Sequence, residues 1–145
     1  MITVKQILNE KGTKVWTISP QAMVFDALKL MSKKEVGALV VVEDDDVVGI
    51  LSERDYARKI VLVGRHSQDT AVRDIMSTHV YGVHFDSTAE ECMALMTDKH
   101  IRHLPVCKDE KLVGIISIGD VVKAIMTQQK VTIENLENYI MGKYQ

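Results

Sequence analysis

The side chains most open to a chemical role come in two matching sets. Ser52 and Asp55 close the stretch Val47-Val48-Gly49-Ile50-Leu51-Ser52-Glu53-Arg54-Asp55, and Ser117 and Asp120 close Leu112-Val113-Gly114-Ile115-Ile116-Ser117-Ile118-Gly119-Asp120, 65 residues later. A serine followed three residues on by an acid is a helix start: the hydroxyl accepts from the backbone N–H three residues along, and the carboxylate sits where the helix dipole favours negative charge. Other chemistries find less support. The repeated Ser/Asp pairs have no repeated histidine base, and neither a Gly-x-Ser-x-Gly nor a Cys-His signature is present, so an acyl-transfer enzyme is not indicated. His100-x-x-His103 has metal-like spacing but straddles a predicted helix-to-strand junction and lacks a third and fourth ligand in sequence, so no metal site is expected. Cys92 and Cys107 are not in Cys-x-x-Cys spacing, and both fall in apolar segments that predict reduced core thiols. There is no Gly-x-Gly-x-x-Gly or Walker loop, so any nucleotide is held by other means.

The elements that must position these pairs are themselves repeated. Val4, Ile7 and Leu8 lie on one face of a short helix, and Val72, Ile75 and Met76 repeat that spacing 68 residues later, so the first copy carries a longer connection around Lys11-Gly12-Thr13. Val15-Trp16-Thr17-Ile18 and Val80-Tyr81-Gly82-Val83 predict a strand in each copy. Helices follow over residues 22–32 and about 88–98, with Val24, Ala27, Leu28 and Met31, and then Ala89, Cys92, Met93 and Met96, turned inward. Ser87 is expected to cap the second of these, whereas Ala22 at the aligned position cannot cap the first, which should fray more readily. Residues 37–42 and 102–107 predict strands that turn through short polar segments into the strands carrying the glycine-serine motifs, and Pro105 cannot donate to a ladder. Each copy is therefore strand-helix-strand-strand-helix, an α+β arrangement: repeat 1 over 1–63, a linker over 64–71, repeat 2 over 72–130. An unrepeated amphipathic helix over 131–145 carries Ile133, Leu136, Tyr139 and Ile140 on one side, suited to covering a face or meeting another subunit.

The composition is that of a globular chain. It is 46% hydrophobic and 26% charged, and 18 basic residues against 20 acidic ones leave a net charge of −2, with no basic block to release counterions from a phosphate backbone. Nucleic acid is not an expected partner. No apolar run is long enough for a membrane span, nor is the N-terminal run long enough for a signal peptide, and the expected location is cytoplasmic.

The order strand, helix, strand, then Gly-Ile-Leu-Ser-Glu-Arg-Asp, repeated with Arg-His-Leu-Pro-Val ahead of Gly-Ile-Ile-Ser-Ile-Gly-Asp, resembles a tandem pair of cystathionine-β-synthase (CBS) domains over about residues 1–130. The whole chain is similar to the small stand-alone bacterial CBS-pair proteins. The resemblance implies two pseudo-twofold-related repeats with clefts between them that bind adenosine compounds such as AMP, ADP, ATP, NAD(H) or S-adenosylmethionine, and two pairs packed as a homodimer. It assigns ribose contacts to Asp55 with Ser52 and to Asp120 with Ser117. Base contacts fall to the backbone of Gly37, Ala38 and Leu39 and of Arg102, His103 and Leu104. The assignment is chemically sound, since a carboxylate at a helix N-terminus can accept from two vicinal hydroxyls while nearby N–H groups favour anionic oxygens.

The copies differ in their cations. Arg102 and His103 stand where the first copy has Gly37 and Ala38, and Arg54 stands where the second has Gly119. That divergence predicts two non-equivalent clefts, with Arg54, Arg102 and His103 meeting phosphates. Trp16 and Tyr81 are equivalent and suit either the border of a base or a packing surface. The expected function is a non-catalytic regulatory module that binds an adenosine nucleotide and acts on a regulated protein that the sequence does not name. The alternative is a structural dimerisation domain whose Ser-x-x-Asp boxes only cap helices.

Overall fold

The computed structural model describes residues 1–142. Along the chain, α1 (Val4–Lys11), β1 (Thr17–Ile18), α2 (Val24–Lys34), β2 (Ala38–Glu43), β3 (Asp46–Ser52) and α3 (Glu53–Tyr56) are followed by a π-helical turn (Ala57–Val61) and a 3-10 turn (Val72–Asp74). Then come α4 (Ala89–Lys99), β4 (His103–Lys108), β5 (Lys111–Ser117) and α5 (Ile118–Ile140). Strands β1, β2 and β3 form one sheet in that order, with β1 parallel to β2 and β2 antiparallel to β3; β4 and β5 form the other.

Two compact units emerge, and they do not follow the order of the repeats. Among the described residues, one holds 14–81 and 109–113, the other 1–13, 82–108 and 114–142. The segment that opens each repeat therefore packs with the body of the other repeat. In the first unit, Val24 N–H donates to Thr70 O and Val72 N–H to Ala22 O, each at 2.8 Å. In the second, Ala89 N–H donates to Ile2 O and Val4 N–H to Ser87 O, again at 2.8 Å. The docking is an antiparallel bridge both times, Met23 with Ala71 and Thr3 with Thr88.

The cores repeat as the sequence does. Val24, Ala27, Met31, Leu39, Val41, Leu51, Val72 and Ile75 are buried together in one unit. In the other, Ala89, Cys92, Met96, Leu104, Val106, Ile116, Val4 and Ile7 are buried at the equivalent positions. Helices α2 and α4 both end on a left-handed residue, Glu35 and His100, each with φ of 55°. Both hairpins turn through two residues of positive φ, Asp44-Asp45 and Asp109-Glu110, the backbone of the two-residue turn that matches strand twist.

Several expectations are changed. Thr88, not Ser87, caps α4, its hydroxyl accepting from Glu91 N–H at 3.1 Å, while Ser87 Oγ accepts from His84 N–H. Met23 at the matching position offers α2 no side-chain cap, yet the first two N–H groups of that helix, Val24 and Phe25, donate to Thr70 O and Ser67 O. The linker backbone does the capping, which opposes the fraying expected of α2. Val72–Asp74 is a 3-10 turn, not a copy of α1. The strand expected over 80–83 shrinks to one parallel bridge, Val83 with Val106. The reason is Pro105: at the equivalent place in the first copy, Val40 N–H donates to Trp16 O at 3.3 Å, and proline has no N–H to donate. Finally, 131–140 is not a separate helix but the continuation of α5, whose 23 residues run unbroken from the serine cap; positions 143–145 of the expected helix lie outside the described residues.

Candidate functional site

Each Ser-x-x-Asp segment folds as a complete capping box. Ser52 Oγ accepts from Asp55 N–H at 3.3 Å while Asp55 Oδ2 accepts from Ser52 N–H at 3.0 Å. Ser117 Oγ accepts from Asp120 N–H at 3.2 Å while Asp120 Oδ2 accepts from Ser117 N–H at 2.7 Å. The next strand is tied to the same corner. Glu53 N–H donates to Gly37 O at 3.1 Å, and Ile118 N–H donates to Arg102 O at 2.8 Å.

In the first unit, register pairs Ala38 with Ser52 and Leu39 with Leu51, so Gly37, Ala38 and Leu39 lie beside Ser52 and Asp55, the Leu39 side chain being wholly buried. In the second, Arg102 immediately precedes β4 and His103 and Leu104 open it beside the Ser117 cap; Leu104 is again buried and Arg102 exposed. Arg54 is exposed on α3. Trp16 packs against the core of its unit with the Lys34 ammonium 4.2 Å from its ring centroid. Cys92 is buried, which together with the neighbouring Glu91 charge pushes its thiol up to about 11.

Three partners of the carboxylates were missed by sequence reasoning: Lys59, Ser77 and Lys11. Asp55 Oδ1 takes the Lys59 ammonium and the Ser77 hydroxyl, both at 3.3 Å, and Lys59 also donates to Ile75 O at 2.9 Å. Asp120 Oδ2 takes the Lys11 ammonium at 2.6 Å, and Lys11 also donates to Ile115 O at 2.8 Å. The Asp55–Lys59 spacing, four residues apart in a helix, was a readable signal. Lys11 stands 109 residues from its carboxylate, and nothing local announces that pairing.

The two carboxylates thus end in different states. Both oxygens of Asp55 are engaged, and its side chain is 13% exposed. Asp120 is 24% exposed, and its hydrogen bonds from the Lys11 ammonium and the Ser117 N–H both fall on Oδ2. It opens on a pocket of about 380 Å³ lined on one side by Gln6, Ile7, Glu10 and Lys11 of α1 and on the other by Asp120 and Lys123 of α5. Burial alone would raise the Asp120 carboxyl, but the Lys11 hydrogen bond, the Ser117 N–H and the ammonium charge outweigh it and hold the group below the usual carboxylate range. His103 is lowered by burial first and by the Lys11 charge second, with Arg102 adding to the fall and Asp120 opposing it. It is therefore a neutral imidazole near pH 7. A neutral ring can donate one hydrogen bond to a phosphate oxygen but brings it no charge. Among the described residues, no group of three or more His, Cys, Asp or Glu is arranged to hold a metal ion.

The CBS domain family matches residues 2–62 and 72–127, and the chain belongs to it. The mitochondrial CBS domain-containing protein CBSX3 of Arabidopsis thaliana is 40% identical, over 98% of this chain and 73% of its own length. Among solved structures, a protein with CBS domains from Burkholderia ambifaria, named for a role in signal transduction, is 48% identical with a TM-score of 0.84, covering 88% of this chain and 96% of that one. The CBS domain pair of protein MJ0100, solved with 5′-methylthioadenosine and S-adenosyl-L-methionine, shares the fold at 23% identity and a TM-score of 0.77, over 88% of this chain and 98% of that one. The fold is that of a CBS domain pair, α+β, with the strand-helix-strand-strand-helix order complete in the first repeat and the opening strand of the second reduced to the Val83–Val106 bridge. No helix among the described residues is long and apolar enough to cross a membrane.

Proposed function

We propose that this chain is a non-catalytic regulatory module that binds an adenosine nucleotide, with Asp120 as its ribose acceptor. The observation that carries this reading is a partly exposed, ionised carboxylate lining a pocket of about 380 Å³, with its bonds from Lys11 and the Ser117 N–H both on Oδ2. That volume lies within the range of small-molecule sites. Asp120 is held ionised, so it can accept from vicinal hydroxyls by charge-assisted bonds, while Lys11 and Lys123 supply cations for phosphate oxygens. AMP, ADP, ATP and NAD(H) all offer this pairing of ribose and phosphate. The fold supports the reading, since a CBS pair of the same fold holds two adenosyl compounds.

The first unit favours the second reading, a capping box alone. Asp55 is fully satisfied by Ser52, Ser77 and Lys59, and a ribose there would have to displace one of them. Ligand binding at Asp120 and capping at Asp55 are compatible, and together they make the two sites non-equivalent, as the divergent cations suggested.

A thermal-shift series with AMP, ADP, ATP, NAD, NADH and S-adenosylmethionine tests the reading. A ligand at about a hundred times its dissociation constant stabilises the fold by roughly 2.7 kcal/mol. The expected result is a shift that Asp120→Asn abolishes and Asp55→Asn leaves largely intact. No shift with any of the six compounds leaves the structural reading in its place.

A further inference from the structure

The second half of α5 is a helix without a core. Every residue from 129 to 137 is exposed, and that stretch with its continuation carries Ile133 at 55%, Leu136 at 57% and Ile140 at 79% exposure. A helical stretch of this length is marginal in water without tertiary packing, and its apolar groups are not scattered. Val122, Met126, Gln129, Ile133, Leu136 and Ile140 recur at alternating spacings of four and three, the seam of a two-stranded coiled coil. A groove along this face is lined by Met126, Gln129, Lys130, Ile133, Glu134 and Glu137.

We propose that this seam pairs antiparallel with the same segment of a second copy of the chain. Charge decides both the occupant and the direction. With Met126, Ile133 and Ile140 as the a positions, Lys130 and Glu137 are the e positions flanking the seam, and neither has an ion-pair partner among the described residues. In an antiparallel pair, e positions face e positions. Packing Ile133 against the partner's Leu136 brings Lys130 opposite the partner's Glu137, and by symmetry Glu137 opposite the partner's Lys130. In a parallel pair, e faces g, which would set Lys130 against the partner's Ile125 and Glu137 against the partner's Thr132, with no ion pair gained. The self-complementary charges fit an isologous twofold contact, which does not depend on nucleotide in the pocket.

Sedimentation equilibrium of the full chain tests it, with circular dichroism melts to confirm that each variant folds. The wild type is expected to be dimeric, and Ile133→Glu with Leu136→Glu to be monomeric with the melt of its two units retained. Lys130→Glu and Glu137→Lys are each expected to weaken the dimer roughly tenfold, as like charges face each other, and the two together to restore it. A monomeric wild type, or a dimer indifferent to Ile133→Glu with Leu136→Glu, overturns the interface. A combined charge reversal no tighter than the single ones overturns the antiparallel register.

Discussion

Asp55 and Asp120 occupy the same place in the repeat and make the same capping box, but the ammonium that neutralises each comes from a different element. Lys59 reaches Asp55 from one helical turn away, and Lys11 reaches Asp120 from the end of α1. The sequence made both carboxylates visible, because Ser-x-x-Asp is a local pattern; it hid Lys11, because that contact depends on how α1 docks. The pair has a pH signature. The folded-state pKa of Asp120 lies below its ordinary 3.8, so its contribution to stability is fully present above that value and is lost as pH falls through the lowered one. Lys11→Met should cost about 1 kcal/mol or less at pH 7, given the partial exposure of both groups, and the difference from wild type should shrink towards zero in acid. Urea midpoints taken from pH 7 down to about pH 2 read this directly. The same substitution removes one of the charges that depress His103, so the imidazole titration followed by NMR should move up.

At the scale of elements, the repeat was legible wherever it rests on apolar spacing or turn chemistry, and obscure where one residue breaks a hydrogen bond. Strand β1 and the isolated bridge at Val83 descend from the same pattern, yet Pro105 removes a donor and the second strand does not form. Continuity of α5 was equally hard to read, since Gln129 puts a polar residue on the apolar seam without interrupting the helix. The motif glycines, by contrast, are explained by contact. A Cβ on Gly49 would lie 2.7 Å from Met76 Sδ and 3.0 Å from the carbonyl oxygen of Ser77, whereas on Gly114 it would meet the methyl ends of Leu8 at 2.9 and 3.0 Å. Backbone cannot step aside as a leucine rotamer can. Gly49→Ala should therefore destabilise by about 2–3 kcal/mol and Gly114→Ala by about 1 kcal/mol, a ranking that denaturant unfolding of the two variants would check.

For the molecule as a whole, the units are not the repeats. Val4, Ile7 and Leu8, at the start of the chain, are buried in the unit that contains the second repeat's body, and Val72 and Ile75 are buried in the other. Sequence periodicity reveals a duplication but not which copy a segment packs with, because the pattern of an apolar face is the same whichever sheet it covers. Leu8, 2% exposed, tests the exchange: Leu8→Ala should cost about 3 kcal/mol by urea unfolding, the loss proper to a core residue and not to a fraying terminus.

The proposed function rests on Asp120 as the ribose acceptor. Calorimetric titration of the best thermal-shift ligand into wild type, Asp55→Asn and Asp120→Asn measures it most directly, because asparagine retains the capping acceptor while losing the charge. The expected result is one strong site in the wild type, at least tenfold weaker binding in Asp120→Asn with the free protein's melting temperature lowered by no more than the few degrees that loss of the Lys11 pair explains, and little change in Asp55→Asn. Equal affinity in wild type and Asp120→Asn would overturn the ribose assignment.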